Sequence, residues 1–184
     1  MSRKLLFSLL LAGLALLATG CAGSGSSSTA ENIDQDSRQA LKTLYSTNPE
    51  AREIARQAKG ILVFPKIIKA GLIVGGSYGE GELIVDSKVQ GYYNTVSGTY
   101  GLQAGAQSYG YVLFLMNDKA LDYLRKSSGW EIGVGPSVTV VNAGVAKKLS
   151  STTLRDDAYA FIFSQQGLMA GLGLEGTKIT PVER

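Results

Sequence analysis

Two hydrophobic periods run along this chain, helical at first and strand-like afterwards. Over residues 36–47 (DSRQALKTLYST) the spacing is helical. Ala40, Leu41, Leu44 and Tyr45 share one face, and Asp36 or Ser37 stands where a cap belongs. Asn48-Pro49-Glu50 then restarts the chain as N-cap, first helical position and acidic first turn. It predicts a second helix over 49–58, with Ala51, Ile54, Ala55 and Ala58 on one stripe and Gly60 as its stop. Both helices are expected to lie against a sheet.

The period changes at residues 58–86 (AKGILVFPKIIKAGLIVGGSYGEGELIVD). Ile61-Leu62-Val63-Phe64 is a short apolar run of the kind that forms a buried strand, and Pro65, lacking an N–H, is expected to close it. Glycines 71, 75, 76, 79 and 81 are too frequent for a helix, where each costs about 1 kcal/mol against alanine. In a strand they permit bends and close backbone approach. Tyr100, Leu102, Ala104 and Ala106 alternate as in a half-buried strand. Residues 109–116 (YGYVLFLM) are apolar on both faces and predict a central strand.

Asn117 or Asp118 is positioned to cap a helix reaching about residue 127, with Ala120, Leu121 and Leu124 inward. A strand interrupted at Pro136 is expected over 130–141. Residues 143–155 are less regular. Residues 158–164 put Tyr159, Phe161 and Phe163 on one face, and 168–175 do the same for Leu168, Leu172 and Leu174. With Gln165-Gln166-Gly167 as a turn, these two runs are expected to pair as a hairpin. The predicted fold class is α+β: a curled, glycine-rich antiparallel β-sheet or partial barrel with flanking helices.

Composition narrows the chemistry. The 184 residues are 45% hydrophobic and 18% charged, which suits one globular domain with appendages. There is no histidine and one cysteine, so the histidine base of a hydrolase triad, zinc sites built on His or several Cys, and disulfides within the chain are all excluded. No cofactor and no metal site is indicated, and no Walker A loop is present. Gly171 to Gly176 spells GxGxxG, but a dinucleotide loop needs a helix after it and an acid about 20 residues on. Only eight residues follow, and a turn with close packing is expected instead.

The N-terminus reads as an address. Met1-Ser2-Arg3-Lys4 is positive, residues 5–17 (LLFSLLLAGLALL) are apolar, and Ala18-Thr19-Gly20 are small. This is the layout of a secretory signal, and its apolar run is short for a membrane span of about 20 residues. Cys21 follows directly and resembles the lipidated cysteine of a bacterial lipobox, with Ala18 where Leu is commonest and Leu17 one place earlier. The resemblance implies cleavage before Cys21, a diacylglyceryl group on its sulfur and an acyl chain on its amino group. The expected organisation is a signal peptide over 1–20, a lipidated tether over 21–34 and a folded domain over 35–184. Ala22 is not the Asp that often retains lipoproteins in the inner membrane. An outer-membrane, periplasm-facing position is therefore expected. The formal net charge is +3, and removing residues 1–20 leaves +1, so nucleic acid is not an expected partner.

Three blocks together resemble the SYLF domain family: ILVFPKIIKAG with GGSYGEGEL within 58–85, GLQAGAQSYGYVLFLMNDKAL over 101–121, and YAFIFSQQGLMAGLGLEG over 159–176. Their order and spacing match from about Leu41 to Ile179. The resemblance implies a non-enzymatic lipid-binding domain. Eukaryotic members bind phosphoinositide membranes and fungal ones also bind actin, partners that a bacterial periplasm does not normally offer. The expected partner is a phospholipid membrane, as anchor and as ligand, with an envelope protein partner as the alternative.

Lys59, Lys66 and Lys69 bracket the first strand and are candidates for a lipid headgroup, although lysine at strand ends is ordinarily just solvated. Lys147, Lys148 and Arg155 form a weaker basic set. Glu80, Glu82, Asp86, Asp156 and Asp157 are the carboxylates that a weak hydrolase would need. Adjacent Asp156 and Asp157 more simply cap a turn. Tyr78, Tyr92, Tyr93, Tyr100, Tyr109 and Tyr111 cluster in the sheet region and suit either an apolar cleft or core packing with the hydroxyl at a rim.

Overall fold

A computed structural model describes residues 29–126, 130–131, 135–141 and 155–184. Cys21, the signal and residues 21–28 of the expected tether lie outside these residues, as do Lys147 and Lys148, while 30–34, expected as tether, are helical. The architecture is α+β, with helices set against one strongly curled sheet.

Helix α1 spans Ala30–Thr47 and starts a turn and a half before the predicted Asp36. The reason is that the buried stripe extends backwards: Ile33 and Ser37 lie two turns and one turn ahead of Ala40, on the face it shares with Leu44. The cap is therefore Thr29, whose Oγ1 accepts from the Asn32 N–H at 3.3 Å, and not Asp36 or Ser37. Helix α2, Pro49–Ala55, starts where Pro49 predicts and ends three residues short of 58. Asn48 holds the N-cap position, but its side chain donates to Thr47 Oγ1 and leaves the helix N–H groups alone.

Three long strands form the sheet: β1 Gly60–Val85, β2 Lys88–Leu115 and, after helix α3 (Asp118–Lys126), β5 Ala158–Val182. Short strands β3 (Trp130–Glu131) and β4 (Val138–Val141) both pair with β5. The order is β1-β2-β5-β3, antiparallel except that β4 runs parallel to β5, so the sheet is mixed and not wholly antiparallel. Asp86 and Ser87, at φ 50° and 63°, make the β1–β2 turn, whose positive dihedrals match the twist of the strands.

Several expected breaks are absent. β1 runs straight through Pro65, because a register shift between Phe64 and Ile67 takes the missing N–H out of the ladder. The predicted hairpin over 158–175 does not exist. Both halves of β5 pair with β2, Phe163 opposite Gly110 and Gln166 opposite Ser108, with a kink at Ser164 (φ 52°) and Gly167 (φ 90°). The GxGxxG run lies inside that strand, opposite residues 98–103, so it is neither the expected turn nor a phosphate loop. The predicted strand over 130–141 is two strands that meet opposite ends of β5. Asn117 caps α3 as expected, its Oδ1 accepting from the Ala120 N–H at 3.0 Å.

The sheet folds back on itself midway along its long strands. Leu62, Phe64 and Ile67 from one end of β1 share a core with Leu83 from its other end, together with Tyr93, Ile179, Trp130 and the α3 residues Ala120, Leu121 and Leu124. Glycine allows this. A Cβ on Gly81 would sit 2.0 Å from the Val63 carbonyl oxygen, where the two halves of β1 touch. At the bend itself, a Cβ on Gly71 would sit 2.5 Å from the Gly75 Cα. A second core lies on the outer side of the stem formed by the first half, where α1 and α2 bury Val63, Val112, Phe114, Tyr159, Phe161 and Phe163.

Candidate functional site

Beyond the reach of α1, the outer face of the sheet is bare where it bends. Register places Ala70 beside Ala106 and Leu168, Leu72 beside Ala104, Val74 beside Tyr100, and Tyr78 beside Val96. Leu168 is 88% exposed, Leu72 74% and Tyr100 70%, and Ile68, Ile73 and Val74 are exposed with them. Cross-strand neighbours make these a contiguous surface and not scattered single residues. Segments 66–79, 95–109 and 162–174, which build the bend, contain two charged side chains, Lys66 and Lys69, and no carboxylate.

The inner face of the same bend holds a cleft of about 220 Å³. One wall is hydroxyl: Ser77, Ser97 and Thr177 stand side by side across the three strands, with Thr95 next to them. Ser97 Oγ and Thr177 Oγ1 are 2.8 Å apart. The facing wall is apolar, made by Ile67, Tyr109, Tyr111 and Ile162, with Val138 and Val140 of β4 closing the side. Among the described residues no charged side chain lines it. Burial pushes the Tyr111 phenol well above its ordinary range, so it stays neutral.

Residues 96–184 match the family model described as Ysc84, Las17-binding protein actin regulator. That model is of the SYLF (Ysc84) family, which the three sequence blocks resemble. No curated protein matches the chain. The matched stretch contains the second and third resembling blocks and begins inside β2. The first block lies outside the match and is carried by β1, which pairs with β2 on that side of the sheet.

The structure separates the three candidate lysines. Lys59 precedes β1 at the stem, its N–H donating to the Leu115 carbonyl at 2.7 Å. Lys66 is exposed beside the α1 residues Asp36, Gln39 and Thr43. Lys69 lies opposite Gln107, nearest the bend. Lys66 thus borders the exposed apolar surface, whereas Lys69, half-buried on the side of β1 that Ile67 occupies, and Lys59 do not.

The carboxylates serve the fold. Asp157 ties three elements together, accepting from Lys119 Nζ at 2.8 Å, Asn117 Nδ2 at 2.9 Å and the Ser137 N–H at 2.9 Å. The Lys119 bond, then those from Asn117 and Ser137, hold its carboxyl well below the usual carboxylate range. Asp156 accepts from Thr139 Oγ1 at 2.7 Å. Glu80 accepts from Tyr78 at 2.8 Å and pairs with Arg184. Glu82 is 1% exposed, and burial first, then the neighbouring Asp34 carboxyl, push it from 4.5 up to about 8. Tyr92 donates to Asp34 Oδ1 at 2.8 Å, so this pocket joins α1 to the sheet. Asp86 occupies the β1–β2 turn. Among the described residues no cluster of three or more His, Cys, Asp or Glu can hold a metal ion, and no helix is long and apolar enough to cross a membrane.

The tyrosines divide by face. Tyr78 and Tyr100 are exposed on the outer side, Tyr109 and Tyr111 line the cleft, and Tyr93 is core. The hydroxyl wall escaped the sequence reading. Thr95, Ser97 and Thr99 do alternate in sequence, but their partners Ser77 and Thr177 are joined to them only by register.

Proposed function

We propose that this protein is a lipid-anchored envelope protein whose SYLF domain binds phospholipid surfaces through the apolar bend, without chemistry of its own. The observation that carries the reading is the contiguous exposed surface of Leu72, Val74, Tyr100 and Leu168, with exposed Lys66 at its edge and no carboxylate in the segments that build it. Each such side chain gains about 1.5–3 kcal/mol when fully taken out of water. Tyrosine suits the boundary between tails and headgroups, and lysine suits lipid phosphate. The N-terminal pattern ending at Cys21 supports an acyl anchor, at about 0.8 kcal/mol per buried CH₂. In this reading the anchor holds the domain at the periplasmic side of the outer membrane.

Vesicle co-sedimentation of a chain lacking residues 1–28 tests the surface. Binding is expected, and the triple change Leu72→Ser, Tyr100→Ser, Leu168→Ser should weaken it at least about tenfold by removing apolar contact. An unmodified chain that binds neither anionic nor zwitterionic vesicles overturns the reading. Metabolic labelling with a palmitate analogue, wild type against Cys21→Ser, tests the anchor.

A second reading, a protein-docking module, is favoured by the family description, which names a protein-binding activity. Crosslinking in cells that survives the triple change, with vesicle binding gone, selects it.

A further inference from the structure

The cleft inside the bend poses a separate question. The inner face of the sheet is apolar at both ends: Leu62, Phe64 and Leu113 in the stem, Leu83, Tyr93 and Ile179 towards the turn. Between them the same inward positions switch to hydroxyl, with Ser77, Thr95, Ser97 and Thr99 all buried and Thr177 beside them. Ser97 and Thr177 bond each other at 2.8 Å, which offsets part of the cost of burying them, yet a sheet needing only to pack would carry Val or Leu there. The switch coincides with the place where the two walls part to leave space.

We propose that this cleft takes one ester-linked acyl chain of a glycerophospholipid from the bilayer that the bend touches. The inference rests on the lipid-binding reading and names its internal site. Ester carbonyls accept hydrogen bonds, and the Ser77–Ser97–Thr177 row supplies donors. The methylene chain lies along Ile67, Tyr109 and Ile162. The charged headgroup remains outside, because none of the described residues lining the cavity is charged. Its 220 Å³ is less than the about 300–1,000 Å³ of sites that swallow a drug-sized molecule, so it holds part of one chain and not a whole lipid. The mouth is flanked by Val140 and Ile162, both exposed despite being aliphatic. Strand alternation ties the two surfaces together: Val96 and Tyr100 point out to the bilayer while Thr95 and Ser97 point into the cleft.

The test uses the full chain in vesicles of phosphatidylcholine and phosphatidylglycerol, doped with phosphatidylcholine bearing a diazirine at one acyl terminus. After illumination, mass spectrometry maps the adducts. Adducts on Ile67, Tyr109 or Ile162 are expected, in addition to those on the outer bend. Ser97→Leu, which fills the cleft, and Val140→Trp, which blocks its mouth from an exposed position, should each remove the inner adducts and keep the outer ones. The paired change Ser97→Val and Thr177→Val keeps the shape and should lower the inner adducts about tenfold, the loss of one or two hydrogen bonds. Adducts confined to the outer bend, or inner adducts that persist in both blocking variants, overturn the acyl site and leave membrane binding standing. Adducts at neither place overturn both.

Discussion

The stem and the bend are made from the same three strands, yet they obey different rules. In the stem, Val63, Val112, Phe114 and Phe161 face the helices while Leu62, Leu113 and Ala160 face the inner core, so both sides of the sheet are buried. Its residues are large and branched or aromatic. At the bend the strands turn to glycine and alanine, the outer face loses its helices, and Leu72, Tyr100 and Leu168 stand in solvent. Stability is concentrated in one half and an adhesive surface in the other. A strand that must bend gives up the bulk that would cover its neighbours.

Substitutions should separate the halves sharply. Phe114→Ala in the stem leaves a cavity against Phe161, whose ring lies edge-on at 5.6 Å. It should cost about 3–5 kcal/mol in denaturant unfolding. Gly81→Val drives a side chain into the Val63 carbonyl and should cost roughly 1–3 kcal/mol or more on the same measurement. A loss below that range for Gly81→Val would mean that the two halves of β1 are not pressed together.

Asp157→Ala cuts the joint between α3, β4 and β5 and should cost about 1.5–3 kcal/mol at neutral pH. Because that carboxyl is held low, its contribution is present above the ordinary aspartate range and vanishes as acid protonates it. The variant should therefore approach wild-type stability in strong acid.

Glu82 has the opposite sign. Raised from 4.5 to about 8, it favours folding while protonated, and stability falls as pH climbs through that window. Glu82→Gln should flatten the fall, seen as a melting temperature that changes less between pH 5 and pH 8. An unchanged slope would mean that Glu82 is not the group responsible. Leu168→Ser at the bend should shift stability by less than about 0.5 kcal/mol, since it removes no buried contact, while vesicle binding drops.

Legibility in the sequence followed the same division. The stem declared itself: YGYVLFLM predicted a strand covered on both faces, and it is. Helix α2 began at its proline and α3 at Asn117. Local signals failed wherever a strand had to bend without ending. Pro65 and Gln165-Gln166-Gly167 resemble stops, and only pairing with β2 shows that the chain passes through them. A bulge and a turn share the same residue preferences, so the distinction lies in the partner strand. The binding surface was half visible. Lys66 was picked out by charge, but Leu72, Tyr100 and Leu168 come from three distant segments that only the sheet joins.

The position of β5 bears on how the chain is made. It lies in the interior of the sheet, pairing with β2, β3 and β4, yet it is synthesised after all of them. Until those 25 residues appear, the 28 residues of β2 present an open edge beside a greasy surface. Such an intermediate invites aggregation. The sheet cannot close before β5 emerges, so a holdase escorting the nascent β1–β2 hairpin would raise its yield.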